Sequence, residues 1–593
     1  MVRHSGQRRA LWGDSFWVSR LLPNRWTATF VDVKVGASGI REKKNTVSSN
    51  LIYNPKTPLI TKFITPSMRM SIFIISKPNP YTMKRLLLIP ALLFALVTLA
   101  QETIDTEAIE KIKKEGLENS QVEQIAFELI DKAGPRLSNS AGYERAAQYA
   151  ISQLTEWGLE NAQKEAWGEF GKGWEVNKSY VAMTKPYYMP FIAVPKAWTG
   201  STDGPVSGKV QFVEINSEED FEQYKGKLKG AIVAFKPRGD QSPTFKADAL
   251  RYTEEELNEM TEPRVESSGW TPEQIAAWRK RREFSETLNT FLTEEGVALI
   301  IKGVNGRHGT LFTSSPQGYK MDAPIGAAEL EMAPEHVNLM ARLVENGVEV
   351  EMEGEVKTTF NEDDIQGYNV IAEIPGTDKK LEDEVVMLGG HLDSWHGGTG
   401  ATDNGAGCIV MMEAVRILQA AELQPKRTIR IALWGGEEQG IYGSRNYVKN
   451  HFGDSETMTL KPEHEKISAY YNIDNGTGRI RGIYLQGNEA VGPIFSEWFK
   501  PYEDIMENTT ITVRNTGGTD HLGFDAVGIP GFQFIQDPVE YWSRTHHTNM
   551  DTYERLVIDD LQQIATIVAG FVYNTAMRDE MLPREEMDVS ESD

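Results

Sequence analysis

One cysteine, Cys408, stands among 593 residues, so no intrachain disulfide can staple this chain. It opens the apolar run Cys408–Met412, where a thiol packs as a small hydrophobe rather than as a reactive group. Positive charge is in deficit, with a formal net charge of −23. That balance argues against nucleic acid as a main partner. Long apolar runs are also scarce, and the one that stands out, LLLIPALLFALVTL after Lys84-Arg85, falls short of the ~20 residues a membrane-spanning helix needs.

That run has another use. Met83-Lys84-Arg85, the apolar stretch and Ala100 form the positive, hydrophobic and small-residue regions of a secretory signal. No cysteine follows Ala100, which leaves a lipoprotein anchor without support. Residues 1–82 are basic, with almost no acidic side chains and no sustained periodicity. A signal peptide works at a chain's start, so 1–82 is read as an upstream extension from a misassigned start, and 83–100 as the signal. The rival is a genuine cytoplasmic extension before a signal anchor. The mature protein is expected to be secreted or periplasmic, with no membrane anchor after cleavage.

Single cores rarely grow past ~250–300 residues, so several domains are expected. Residues 102–165 read as helical: Ile109 and Ile112, then Val122, Ile125 and Leu129, recur at helical spacing, with Gly116 between the two stretches. The segment 101–186 is expected to pack on a later sheet as the N-terminal part of a catalytic domain. From 187 to 357 the texture is β-rich, with short apolar runs at 209–213, 231–235 and 298–301. A charged helical stretch, about 247–292, interrupts it; its Arg279–Arg282 run reads as a solvated face. From 358 to 585, strand candidates (369–374, 384–388, 428–433, 467–473, 482–486, 511–514, 531–535) alternate with helix candidates (406–421, the stretch after Glu438, 493–500, 558–576). The fold class is therefore α/β: a mostly parallel sheet with helices on both faces, plus an inserted β-rich domain.

Five motifs fall at the ends of these strands, where open α/β sheets place their sites. His391 in GGHLDS offers an imidazole, and Asp393 two residues on could take its other ring N–H. Asp403 lies in GATDNGAG, a glycine-rich turn that lacks the Lys-Ser/Thr of a phosphate loop. A carboxylate there suits cations. Glu437-Glu438 ends an apolar strand, and two buried carboxylates repel unless a cation or a proton intervenes. Asp474 ends another strand in YNIDNG, and His546-His547 stand in RTHHTNMDT. Mixed imidazole and carboxylate ligands suit zinc. A pair of ions could lower the pKa of a water and polarise a carbonyl together. No G-x-S-x-G motif is present.

The ordered series HLDSW, GATDNGAG, LWGGEEQG, NIDNG and HHTNMDT resembles the zinc-dependent aminopeptidase family of the bacterial leucyl aminopeptidase type. LQPKRT at 423–428 and MLPR at 581–584 are similar to its carboxypeptidase Q branch, the plasma glutamate carboxypeptidases. The resemblance spans roughly 102–585. It implies two zinc ions, with His391 and Asp474 on one, Glu438 and His547 on the other, and Asp403 bridging them. Glu437 would be the general base, and Asp393 a second catalytic residue, supporting the ligand His391. The last family histidine precedes Thr or Ser, which selects His547 over His546. Asp520 and His521, in GGTDH, resemble a Ser-Asp-His segment near the substrate. Thr replaces Ser here, and the carboxypeptidase Q branch lacks this histidine, so the chain sits between the two patterns. The β-rich insert is similar to a protease-associated domain. A cis peptide at Asp403–Asn404 is also implied. The expected activity is secreted exopeptidase action on peptides with a free amino terminus, by an aminopeptidase or a dipeptidase, with a homodimer as a candidate assembly. A glutaminyl cyclase-like zinc enzyme and an inactive receptor-type homologue are the rivals.

Overall fold

The computed structural model describes residues 102, 104–237, 241–262, 271–314 and 318–585. The upstream extension and the signal segment lie outside the described residues. Among the described residues no helix is long and apolar enough to cross a membrane.

The catalytic part is built on an eight-stranded sheet. Its strands are β1 (Glu160–Glu169), β2 (Gln366–Ile374), β3 (Val385–His391), β4 (Thr428–Trp434), β5 (Ile467–Asn472), β6 (Ile480–Tyr484), β7 (Thr510–Thr512) and β8 (Gly531–Gln536). They lie in the order β1-β2-β4-β3-β5-β8-β6-β7. The centre, β4-β3-β5-β8, is parallel. At the flanks β1, β2 and β4 pair antiparallel, as do β8 and β6, while β7 runs parallel to β6. The sheet is thus mixed around a parallel core, rather than mostly parallel throughout.

Period-two alternation, interrupted in β5 by a register shift between Ile467 and Ala469, assigns the side chains of the core strands to two faces. Val386, Leu388, Ile429, Ile431, Leu433, Ala469 and Tyr471 face one layer. Met387, Ala432, Trp434, Ile467 and Tyr470 face the other. The first layer holds helices α1 (Thr106–Glu118), α2 (Ala141–Glu156), α3 (Ala406–Ala420) and, last in the chain, Ile558–Met577. The second holds the helix Tyr442–His451 through Tyr447 and Val448. Helix α3 is buried from Ala406 to Leu418, Cys408 included. This is why its sequence is apolar on every side and not in a stripe, apart from Glu413 and Arg416, which pair with each other.

Two expectations are corrected at the N-terminal side. Residues 160–165 belong to strand β1, which pairs with β2. Gly116 does not separate two helices: α1 continues to Glu118. A Cβ at 116 would meet Thr566 Oγ1 at 2.2 Å and Ile417 Cδ1 at 3.0 Å, so this glycine lets three helices approach closely.

The insert is a second eight-stranded mixed sheet. It begins earlier and ends later than the sequence reading placed it, with long antiparallel strands at Gly173–Lys185 and Glu351–Asn361. Its middle strands, Val206–Phe212, Ile232–Phe235, Leu299–Gly303 and Glu329–Met332, are parallel. The charged stretch forms two helices, Glu254–Thr261 and Pro272–Glu294.

Candidate metal centre

The C-terminal ends of the core strands converge. His391 is the last residue of β3, Glu437 and Glu438 follow β4 by a short turn, Asp474 follows β5, and His547 lies on the loop after β8. Asp403 comes from the turn that opens α3. That turn needs Gly400, whose φ is +64° and where an added Cβ would lie 2.3 Å from Ser394 Cβ.

His391 Nε2 lies 3.4 Å from Asp403 Oδ1 and 3.4 Å from Asp474 Oδ1. His547 Nε2 lies 3.4 Å from Asp403 Oδ2 and 3.0 Å from Glu438 Oε2. Asp403 therefore faces both histidines, one through each oxygen. Glu437 comes no closer to His391 than 4.0 Å. A ring nitrogen of His546 is also within 4.8 Å of Asp403, but the contact with Glu438 is made by His547. These contacts link His391, Asp403, Asp474, Glu438 and His547 in one cluster, with Glu437 beside it. The peptide Asp403–Asn404 is cis.

The electrostatics fit a cation. Asp403 Oδ2 and Asp474 Oδ1 are buried and have no hydrogen-bond partner among the described residues, and a buried carboxylate oxygen without a donor is costly. Burial, reinforced by neighbouring carboxylates, pushes Glu437 and Glu438 well above the usual carboxylate range. Burial alone would depress His391, but Asp474 and Glu437 outweigh it and push the imidazole well up. These opposed shifts mark an excess of negative charge that divalent ions would neutralise.

A supporting shell holds the ligands. His391 Nδ1 is 2.9 Å from the main-chain oxygen of Asp393 and 3.7 Å from its carboxylate. Asp393 thus fixes the ring through its backbone. Its carboxylate is occupied elsewhere, accepting the N–H groups of Glu437 and Glu438 at 3.2 and 3.3 Å and the Ser138 hydroxyl at 2.9 Å. The Trp395 N–H donates to Glu438 Oε1 at 3.2 Å. Asp551 accepts the N–H groups of Thr402 and Asp403. Arg136, fully buried, donates to the carbonyls of Leu392, Thr399 and Gly400. Sequence reasoning assigned no role to Ser138, Arg136, Trp395 or Asp551. Only the last two lay inside quoted motifs.

Asp520 and His521, expected near the substrate, are both buried, as His391, Asp403 and Asp474 are. Asp520 Oδ1 accepts the Ser444 hydroxyl at 2.5 Å, and His521 Nε2 lies 3.2 Å from the Thr516 carbonyl. Asp520 Oδ2 and His521 Nδ1 have no hydrogen-bond partner among the described residues.

Residues 369–572 match the model of peptidase family M28. Carboxypeptidase Q of Mus musculus is 26% identical over 471 residues, covering 79% of this chain and 88% of the relative. Leupeptin-inactivating enzyme 1 of Streptomyces exfoliatus is 35% identical over 173 residues, covering 29% of this chain and 36% of the relative. A solved peptidase M28 precursor from Shewanella amazonensis SB2B superposes with a TM-score of 0.57 at 22% identity, covering 81% of this chain and 99% of that one; at that identity the likeness concerns the fold. With a buried His-Asp-Asp cluster able to hold a metal, these matches define the class: a metallo-exopeptidase.

Proposed function

We propose that this protein hydrolyses peptide bonds next to a free N-terminus, as an aminopeptidase or a carboxypeptidase Q-like dipeptidase, with two zinc ions and Glu437 as general base. The observation that carries this reading is the two-sided placement of Asp403, 3.4 Å from each histidine. His391 and Asp474 would hold one ion, Glu438 and His547 the other, with Asp403 shared. Zinc bound there supplies Lewis acidity, which eases deprotonation of water and polarises the scissile carbonyl.

The protein's own groups do the rest. Glu437 projects beside the ligands, and its main-chain N–H is held by Asp393 Oδ1. Its carboxylate takes the proton of the attacking water and returns it to the leaving amine nitrogen. Trp395 orients Glu438 through its N–H and stands edge-on to His547, with ring centroids 6.1 Å apart. The insert, read as a protease-associated domain, borders the site through Phe312, whose ring lies 5.2 Å from that of His547. The mature enzyme acts outside the cytoplasm, in keeping with the signal-like segment 83–100.

Glu437→Gln, Asp403→Ala and wild type, purified from residue 101 onward, test this. Elemental analysis of zinc and hydrolysis of unblocked dipeptides and leucyl p-nitroanilide are the readouts. Glu437→Gln should keep its zinc and lose at least ~10²-fold in turnover, whereas Asp403→Ala should lose zinc. Near-normal turnover in Glu437→Gln would move the base elsewhere.

A further inference from the structure

His391 and His547 face the same cluster but are held differently. His391 is anchored through Nδ1 to the Asp393 carbonyl. The Nδ1 of His547 is buried and has no hydrogen-bond partner among the described residues. A metal-binding imidazole ordinarily donates its other N–H to a carbonyl, carboxylate or water, and that bond fixes its tautomer and ring plane. For His547 the fixture comes from elsewhere in the fold.

A loop of the insert, between its strands Leu299–Gly303 and Glu329–Met332, provides it. Residues Leu311–Thr313 run antiparallel to the ligand loop, with Phe312 opposite Thr548. The Thr313 N–H donates to the His547 carbonyl at 2.8 Å, and its hydroxyl adds a longer bond of 3.3 Å. Asn549 closes the other end. Its Oδ1 accepts the Leu311 N–H at 2.8 Å, and its Nδ2 donates to the Gly309 carbonyl at 3.2 Å. The grip falls on an unusual backbone, because φ of His547 is +57°, a region non-glycine residues occupy only when their surroundings impose it. The imidazole itself has the Phe312 ring at 5.2 Å on one side and stacks on the His546 ring at 3.9 Å, the two neighbours being 6.4 Å apart.

We infer that Phe312 and Thr313 are positioning residues for His547, so that retention of the metal on the His547 side depends on this loop of the insert. The inference rests on His547 being a zinc ligand. It makes the insert an integral part of the metal centre, fastened to one ligand and leaving His391 to its own anchor. The two ions should therefore respond unequally when the contact is cut.

Zinc per chain, measured across a series of buffered free-zinc concentrations, tests this. The proteins are wild type, Phe312→Ala, Phe312→Tyr, Thr313→Pro, His547→Ala and, as a control, Phe284→Ala, which alters a separate apolar cluster of the same insert. Thermal melting monitors folding. Phe312→Ala and Thr313→Pro should weaken one of the two ions by about 10-fold or more and leave the other unchanged. Phe312→Tyr, which keeps the ring, should restore it, and Phe284→Ala should bind both ions as wild type does. If Phe312→Ala binds both ions normally, or if Phe284→Ala weakens them equally, the inference is overturned. The ligand assignment is judged separately. Loss of one ion in His547→Ala alone keeps the assignment and rejects the positioning role; both ions retained in His547→Ala rejects the assignment itself.

Discussion

Asp551 holds Asp403 from behind: its Oδ2 accepts the Asp403 main-chain N–H at 3.0 Å, while Oδ1 accepts the Thr402 N–H at 2.7 Å and the Thr402 hydroxyl at 2.8 Å. Both carboxylates are buried. Asp551→Asn should therefore disturb the site without emptying the space: one oxygen becomes an NH2 facing N–H donors. Outer partners of metal ligands typically contribute 10- to 100-fold in affinity, so a zinc affinity lowered by about that factor is expected. Zinc titration with an intact melting transition is the check, and wild-type affinity would show that the turn keeps its shape unaided.

His391, Asp403, Glu438 and Asp474 each follow an apolar strand or open an apolar helix, so these polar residues stand out where the pattern stops, whereas His547, on the loop after β8, was singled out only through the family resemblance. The shell behind the ligands was less legible. Asp551 and Asp403 are 148 positions apart, and no local periodicity links them; the clue available was the carboxylate closing the HHTNMDT motif. The insert's first strand, Gly173–Lys185, hides for another reason. Its middle, Glu175–Tyr180, is exposed on every residue, so the alternation that marks a half-buried strand is absent.

Gly116 gives a stability test. An alanine Cβ there would overlap Thr566 Oγ1, 2.2 Å away, on the fully buried inner face of Ile558–Met577. Overpacking of this kind costs about 1–3 kcal/mol. Gly116→Ala should lower the melting temperature, and adding Thr566→Ala, which removes the clashing hydroxyl, should recover part of the loss. A melting temperature unchanged or raised in Gly116→Ala would mean that the helices separate freely.

Glu331 links stability to pH. It is buried in the insert strand Glu329–Met332 near Lys196, Lys302 and Glu329. Burial, aided by the Glu329 charge and partly offset by the lysines, raises its carboxyl to about 8. The folded state thus holds this proton more tightly than the unfolded chain does. Its contribution is complete below the ordinary value of 4.5 and is lost as pH rises through about 8. Glu331→Gln mimics the protonated form, so its melting temperature should exceed that of wild type progressively more from about pH 5 to about pH 9. A gap that stays constant or shrinks over that range would show that Glu331 ionises normally.

The choice of substrate end follows from the charge of the site. Glu437, Glu438, Asp403 and Asp474 crowd one site, and Glu437 and Asp520, whose Oδ2 has no hydrogen-bond partner among the described residues, are the carboxylates proposed to meet a substrate ammonium. Hydrogen bonds to charged groups contribute about 1.5–3 kcal/mol, and blocking the amine would also leave a desolvated carboxylate unpaired. N-acetylation of a dipeptide should therefore lower kcat/KM by about 10- to 100-fold. The other end then separates the two activities. A dipeptidase should also need a free carboxylate, whereas an aminopeptidase should accept an anilide or a longer peptide with the same free amine. Kinetics on a matched set, comprising a dipeptide, its N-acetyl form, its C-terminal amide and an amino-acid anilide, resolve both ends at once. Efficient cleavage of the N-acetyl peptide at its C-terminal bond would make the enzyme a true carboxypeptidase and remove the ammonium from the recognition scheme.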